Sequence, residues 1–207
     1  RRVARAMTET ILERLARIRI VPVVVIDDAS RAADLAAALM AGGIPCAEIT
    51  LRTEAGDAAI SAAAAITGFT VGAGTVLTPE DVTRSADHGA EFIVSPGFDE
   101  EVVERALALG LGVLPGIATA TELQRARRAG LDAVKFFPAD RLGGLDTIAA
   151  LAAPFPTMRF VPSGGVAPHN AADYLVHPAV LAVSGSWMVP RTDIAGGAFD
   201  RIEQPSA

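Results

Sequence analysis

The chain reads as an α/β protein, a (β/α)8 or TIM barrel with an extra N-terminal helix, on three observations. Short runs rich in valine, isoleucine and phenylalanine alternate with longer alanine-rich stretches, the pattern of strands joined by crossover helices. Eight such runs start at intervals of little more than twenty residues, the length that a strand, a helix and two short loops require. Glycine, proline and serine clusters stand at the C-terminal ends of several runs, where a barrel of this kind keeps its chemistry. An open doubly wound sheet is the competing architecture. Its dinucleotide-binding form would need a third glycine after Gly72 and Gly74, and Leu77 occupies that place. A length of 207 residues suits one domain, so 1–207 is read as a single barrel domain.

Each element has its own warrant. The first twenty residues are arginine-rich like a transit peptide, but Glu9 and Glu13 fit an ordinary amphipathic helix better. The first strand is expected at 20–26, with its helix at 31–41. Strands at 46–51 and 70–74 flank the alanine-rich helix 54–66. Thr78, followed by Pro79 and two acidic residues, has the cap, first-position and first-turn signals of a helix over 79–88. Strand 92–95 runs into Ser95, Pro96 and Gly97, and helix 99–109 follows. Strand 112–114 is stopped by Pro115 and Gly116. Thr119 or Thr121 caps the helix 121–129, which closes on Gly130. Strand 133–137 ends at Pro138 before helix 145–152. Strand 159–162 leads through a Ser-Gly-Gly turn to helix 168–176, and strand 180–184 precedes a last helix near 194–202.

Composition removes several functions. Hydrophobic residues make up 51% of the chain and charged residues 20%, which suits a compact soluble domain of close-set helices. No apolar run approaches the roughly 18 residues of a membrane span, so no membrane partner is expected. The lone Cys46 cannot form an intramolecular disulfide and is expected to be a small buried hydrophobe, consistent with a reducing, cytoplasmic setting. His88, His169 and His177 are scattered without ligand spacing, so no all-protein transition-metal site is expected; with the dinucleotide fingerprint broken at Leu77, no cofactor is expected. A net charge of −6 argues against nucleic acid. Arg125, Arg127 and Arg128 are read as the solvated side of a helix.

The unusual residues then fall at one mouth. Glu48, Thr50 and Arg52 share a face of the second strand by its two-residue period, and Glu48 lies too far inside to be a surface carboxylate. A Glu48–Arg52 pair is possible only if both side chains bend across about 13 Å, so two separate roles are preferred. Ser163, Gly164 and Gly165 after the seventh strand, with Gly185 and Ser186 after the eighth, bring backbone N–H groups to the two loops where barrel enzymes often hold phosphate. A phosphorylated small-molecule ligand is therefore expected. Lys135 stands in an apolar run, between Ala133 and Val134 on one side and Phe136 and Phe137 on the other. Such surroundings disfavour the ammonium, and a neutral amine is a nucleophile for a carbonyl. Imine formation competes here with two plainer roles, salt-bridge partner and fixed positive charge for phosphate.

Taken together, the ordered segments AEITLRT, VGAGTVLTPED, FIVSPGF, LPGIATATEL, VKFFPAD, the glycine pair after VPS, and GSWMVP resemble the 2-keto-3-deoxy-6-phosphogluconate (KDPG) aldolases, also called 4-hydroxy-2-oxoglutarate aldolases. The resemblance implies a metal-free class I aldolase, commonly a homotrimer, that cleaves KDPG to pyruvate and glyceraldehyde 3-phosphate in the Entner–Doudoroff pathway. It implies Lys135 as the Schiff-base lysine and Glu48 as general acid/base. Arg52 and Thr75 would hold the pyruvate carboxylate, Pro96 and Phe137 would shape the pocket, and Gly164, Gly165 and Ser186 would receive the phosphate. Ser163 and Ser184 depart from the threonine and glycine frequent at those places. The alternatives are a phosphosugar isomerase or epimerase, the related galactonate-type aldolase, and a non-catalytic phosphosugar-binding domain.

Overall fold

The structure, a computed structural model, describes residues 10–204. Its elements in chain order are α1 (Ile11–Ile18), β1 (Ile20–Val24), α2 (Ala32–Ala41), β2 (Cys46–Thr50), α3 (Gly56–Ala64), β3 (Thr70–Gly74), α4 (Pro79–Asp87), β4 (Phe92–Val94), α5 (Glu100–Ala108), β5 (Gly112–Leu114), β6 (Gly116–Ile117), α6 (Ala120–Arg128), β7 (Ala133–Phe136), α7 (Gly144–Ala152), β8 (Arg159–Pro162), α8 (Pro168–Val176), β9 (Val183–Gly185), α9 (Arg191–Gly196) and α10 (Phe199–Glu203). The part of the expected N-terminal helix before Thr10 lies outside the described residues.

Every strand pair is parallel. One sheet has the order β5-β4-β3-β2-β1-β9 and the other β6-β7-β8, and together they make a curled, half-barrel surface flanked by helices. The two sheets adjoin in sequence across Pro115, and single parallel bridges link Phe160 to Val180 and Ser163 to Ser184 on the other side. Strands of a parallel sheet are covered on both faces: all five residues of β2, Glu48 and Thr50 included, and all four of β7 are buried. Inside the curl, the Phe92 ring fills the space left by Gly72, where a Cβ would come within 2.3 Å of it. Cys46 is buried as expected, and burial pushes its thiol up to about 12.

Three differences from the sequence expectation stand out, each with a local reason; other ends shift by one or two residues, as at β1 and α3. The fifth strand continues past Pro115 as β6, the proline interrupting the ladder because it has no N–H to donate. The last strand starts at Val183, because Val180 N–H donates to His177 O and Ala179 N–H to His177 Nδ1, which holds 177–180 in a turn. The last helix is two: Gly197, at φ 69°, caps α9 before α10 packs its buried Ile202 against the body of the fold.

The helix starts follow the sequence closely. Thr78 and Thr119 cap α4 and α6, and Asp81 and Glu122 complete reciprocal boxes by accepting from the cap backbone. Burial alone raises both carboxyls, but the N–H groups of Leu77 and Thr78 with Arg84, and of Ala118 and Thr119 with Arg125, hold them below the ordinary carboxylate range. A carboxyl depressed in the folded state stabilises fully above its unfolded value, and that contribution is lost as pH falls through the folded value. The melting temperature is therefore expected to hold down to about pH 5 and to fall below about pH 4, less steeply in D81N/E122Q. Equal slopes for the two proteins in a pH series of thermal melts would contradict this.

Candidate active site

Glu48 and Lys135 meet inside the curl. Glu48, the central residue of β2, is in register with Val23 of β1 and Gly72 of β3, and Lys135 of β7 with Gly116 and Val161. They are 2% and 7% exposed, and Lys135 Nζ donates to Glu48 Oε1 at 3.4 Å. The charge set in an apolar strand is thus matched by a buried carboxylate, the arrangement that makes such burial tolerable. Nζ also stands 5.3 Å from the centroid of the Phe137 ring, within reach of a cation–π attraction.

Above this pair lies a cavity of about 400 Å³, lined by Lys135, Arg52, Thr75, Pro96, Phe137, Ser163, Gly164, Gly165, Gly185 and Ser186. All the site residues expected from the sequence therefore converge, Glu48 reaching the cavity through its bond to Lys135. Arg52 lines the cavity, while the Glu48 carboxylate pairs with Lys135; the segment around Arg52 is held by neighbouring hydroxyls and a backbone bond. Thr50 Oγ1 donates to Val24 O at 2.8 Å, Thr53 Oγ1 to Ile26 O at 2.5 Å, and Leu51 N–H to Gly74 O at 2.8 Å. Thr75 has φ 58°, a left-handed conformation uncommon for a β-branched residue and characteristic of positions under functional constraint. Pro96 approaches the β6 start so closely that a Cβ on Gly116 would lie 2.1 Å from Pro96 O.

The glycines at the rim answer to geometry. Gly164 and Gly165 have φ 87° and 86°, and a Cβ on Gly165 would lie 2.1 Å from Asp140 Cβ. The carbonyls around them are already engaged: Ala139 N–H donates to Ser163 O, Asp140 N–H to Gly164 O, and Asn170 Nδ2 to Gly165 O. Asn170 Oδ1 in turn accepts from Ala167 N–H at the start of α8. With the carbonyls turned into the protein, the loop has N–H groups left to offer an anion. Of the two serines that depart from the resemblance, Ser163 lines the cavity, whereas Ser184 is buried behind it.

Sequence reasoning missed Val23 and Val166, which complete the lining. Val23 of β1 and Val166 in the loop between β8 and α8 are apolar and buried, and such residues look the same in sequence whether they face a cavity or a core. Among the described residues, no group of three or more histidine, cysteine or carboxylate side chains is placed to hold a metal ion. No described helix is long and apolar enough to cross a membrane.

Comparison with known proteins places this arrangement. The family model for KDPG and KHG aldolase matches residues 11–205. A 2-dehydro-3-deoxy-phosphogluconate aldolase of Treponema pallidum is 47% identical over 194 residues, 93% of this chain and 92% of that protein. Among solved structures, a KDPG aldolase from Legionella pneumophila, with pyruvate captured at low pH as a covalent carbinolamine, superposes with a TM-score of 0.90. It is 34% identical and covers 93% of this chain and 94% of its own. The Zymomonas mobilis 2-keto-3-deoxy-6-phosphogluconate aldolase with 3-phosphoglycerate gives a TM-score of 0.84 at 38% identity, covering 92% and 94%. Matched across nearly its whole length in both sequence and fold, the chain belongs to the KDPG and KHG aldolase family.

Proposed function

We propose that this chain is a class I aldolase that cleaves 2-dehydro-3-deoxy-6-phosphogluconate to pyruvate and glyceraldehyde 3-phosphate, and 4-hydroxy-2-oxoglutarate to pyruvate and glyoxylate. The observation that carries the reading is the buried Lys135–Glu48 pair, 3.4 Å apart, beneath a cavity rimmed by two glycine loops. Passage of the Lys135 proton to Glu48 leaves a neutral amine beside a neutral acid, with no net charge created in the interior. The amine attacks the C2 keto carbon to form a carbinolamine, and loss of water gives the iminium. A base takes the C4 hydroxyl proton, that O–H pair closes the aldehyde carbonyl, and the C3–C4 bond breaks with its electron pair passing into the iminium to give an enamine as the aldehyde leaves. Protonation at C3 and addition of water then release pyruvate and restore the amine. Glu48 moves these protons.

The remaining residues divide by chemistry. Arg52 offers a planar two-toothed donor to the substrate carboxylate, with Thr75 beside it; Pro96 and Phe137 wall the keto acid. Ser163, Gly164, Gly165, Gly185 and Ser186 receive the phosphate through backbone and hydroxyl donors. The captured pyruvate of the Legionella protein and the phosphorylated ligand of the Zymomonas protein support those two ends of the site. The same reading makes the two sheets one (β/α)8 barrel with α1 as an extra N-terminal helix, closed at the bridges between 160–163 and 180–184. It also makes residues 1–207 a single domain, and the protein a cytoplasmic homotrimer that needs no cofactor.

Reduction with borohydride in the presence of pyruvate tests the mechanism. A reduced pyruvyl adduct mapped to Lys135 by mass spectrometry is the expected result. Turnover of the phosphorylated keto acid with an unmodified Lys135, or an isomerised product in place of cleavage, overturns it.

A further inference from the structure

The two glycines of the segment 71–75 serve no dinucleotide, and they are not equivalent. A Cβ on Gly72 would strike the Phe92 ring, so that glycine makes room for core packing. A Cβ on Gly74 would strike Glu48 instead, lying 2.1 Å from Oε1, 2.4 Å from Cγ and 2.6 Å from Cδ. Gly74 is in register with Thr50, two residues beyond Glu48 on β2. The Glu48 side chain therefore leans along the strand direction and lies across the bare Cα of Gly74. That leaning brings Oε1 to 3.4 Å from Lys135 Nζ, which approaches from a strand in the other sheet. The φ of Gly74 is not in the left-handed region, so the backbone itself accepts a side chain there. Space alone demands the glycine, and the space is the one that Glu48 occupies.

We propose that Gly74 is a positioning residue for the reaction: by presenting no side chain it lets the Glu48 carboxylate lie flat against β3, at the height where it meets Lys135. This rests on the reading of Glu48 as the group that moves protons. The three atoms nearest that Cβ all belong to the Glu48 side chain, from Cγ to Oε1, so alanine at 74 is met first by this side chain, which must swing away and carry its carboxylate an ångström or more. A displacement on that scale costs on the order of 100-fold in a positioned proton transfer, whereas attack by the Lys135 amine on pyruvate depends less on it.

The test separates the two steps. Trapping of pyruvate at Lys135 with borohydride reports imine formation, and deuterium exchange into the pyruvate methyl group, followed by NMR, reports proton transfer at C3. G74A is expected to melt as a folded protein and to form the trapped adduct. Its exchange rate is expected to fall by roughly 100-fold, with kcat falling more than KM rises. In an E48D background, whose shorter side chain withdraws from the contact, adding G74A is expected to change exchange by less than about threefold. Exchange in G74A within about twofold of the parent, or the same factor lost in both backgrounds, overturns the inference. If G74A does not fold, E48D/G74A decides: exchange equal to that of E48D supports the positioning role, and a further loss refutes it. E48Q keeps the two readings distinct. Full exchange in E48Q removes the role of Glu48 and the inference with it, whereas exchange lost in E48Q but kept in G74A removes only the inference.

Discussion

Replacement of Lys135 by methionine is expected to lower kcat by roughly 10⁴-fold or more, as removal of a covalent nucleophile does elsewhere, and to abolish the borohydride-stable pyruvate adduct. Methionine keeps an unbranched apolar stem that reaches as far as the lysine Cε, with a thioether sulfur at the δ position, and has no amine. The substitution also strips Glu48, 2% exposed, of its cation. A buried carboxylate left alone costs about 3 to 5 kcal/mol, so a lower melting temperature is expected alongside inactivity. The double variant K135M/E48Q should recover much of that stability and none of the activity. Stability restored without turnover assigns the loss to chemistry. Recovery of turnover in the double variant, or a K135M protein within about tenfold of the parent in kcat, would contradict the imine mechanism.

Glu48→Gln is expected to separate bond-making to the lysine from movement of protons. The amide has nearly the same shape and still accepts from Lys135 Nζ, so the cavity above should be unaltered; it cannot take the lysine proton, but a buried ammonium without its carboxylate is disfavoured and loses that proton to solvent, so the pyruvate adduct should still be trapped. General acid/base catalysis contributes about 10² to 10⁴-fold, and a loss of kcat near 10³-fold in aldol cleavage is the expected middle value. A variant that neither traps pyruvate nor cleaves would assign Glu48 to imine formation itself. One that cleaves at the parental rate would move proton transfer to another group.

Much of this was legible before any coordinates. Strand spacing and the Thr78 and Thr119 caps are local signals, set by residues close in sequence, and they located β1 to β4 and the starts of α4 and α6 within a few residues. Lys135 and Glu48 were conspicuous because a charge in a buried strand is costly wherever it points. That they share one mouth was legible too; their direct contact was not, because residues 87 apart are joined by the closure of the curl and by the lean of one side chain. Likewise Val23 and Val166 look like core valines, and only the cavity distinguishes them. Gly72 and Gly74 carry the same letter, yet one faces a phenylalanine ring and the other a carboxylate. The late boundaries slipped because His177 and Gly197 turn the chain through contacts and conformations that strand and helix periodicity does not register.

The Asn170 side chain has a consequence for energetics as well as shape. From the first turn of α8, one amide accepts from the N–H of the cap residue Ala167 and donates to the carbonyl of Gly165, so the loop and the helix start order together. An anion held by that loop would be bound by the ordered form alone, and its binding free energy would then be added to the stability of α8 by mass action. Ligand affinity at the rim and resistance of this helix to local opening become two readings of a single equilibrium.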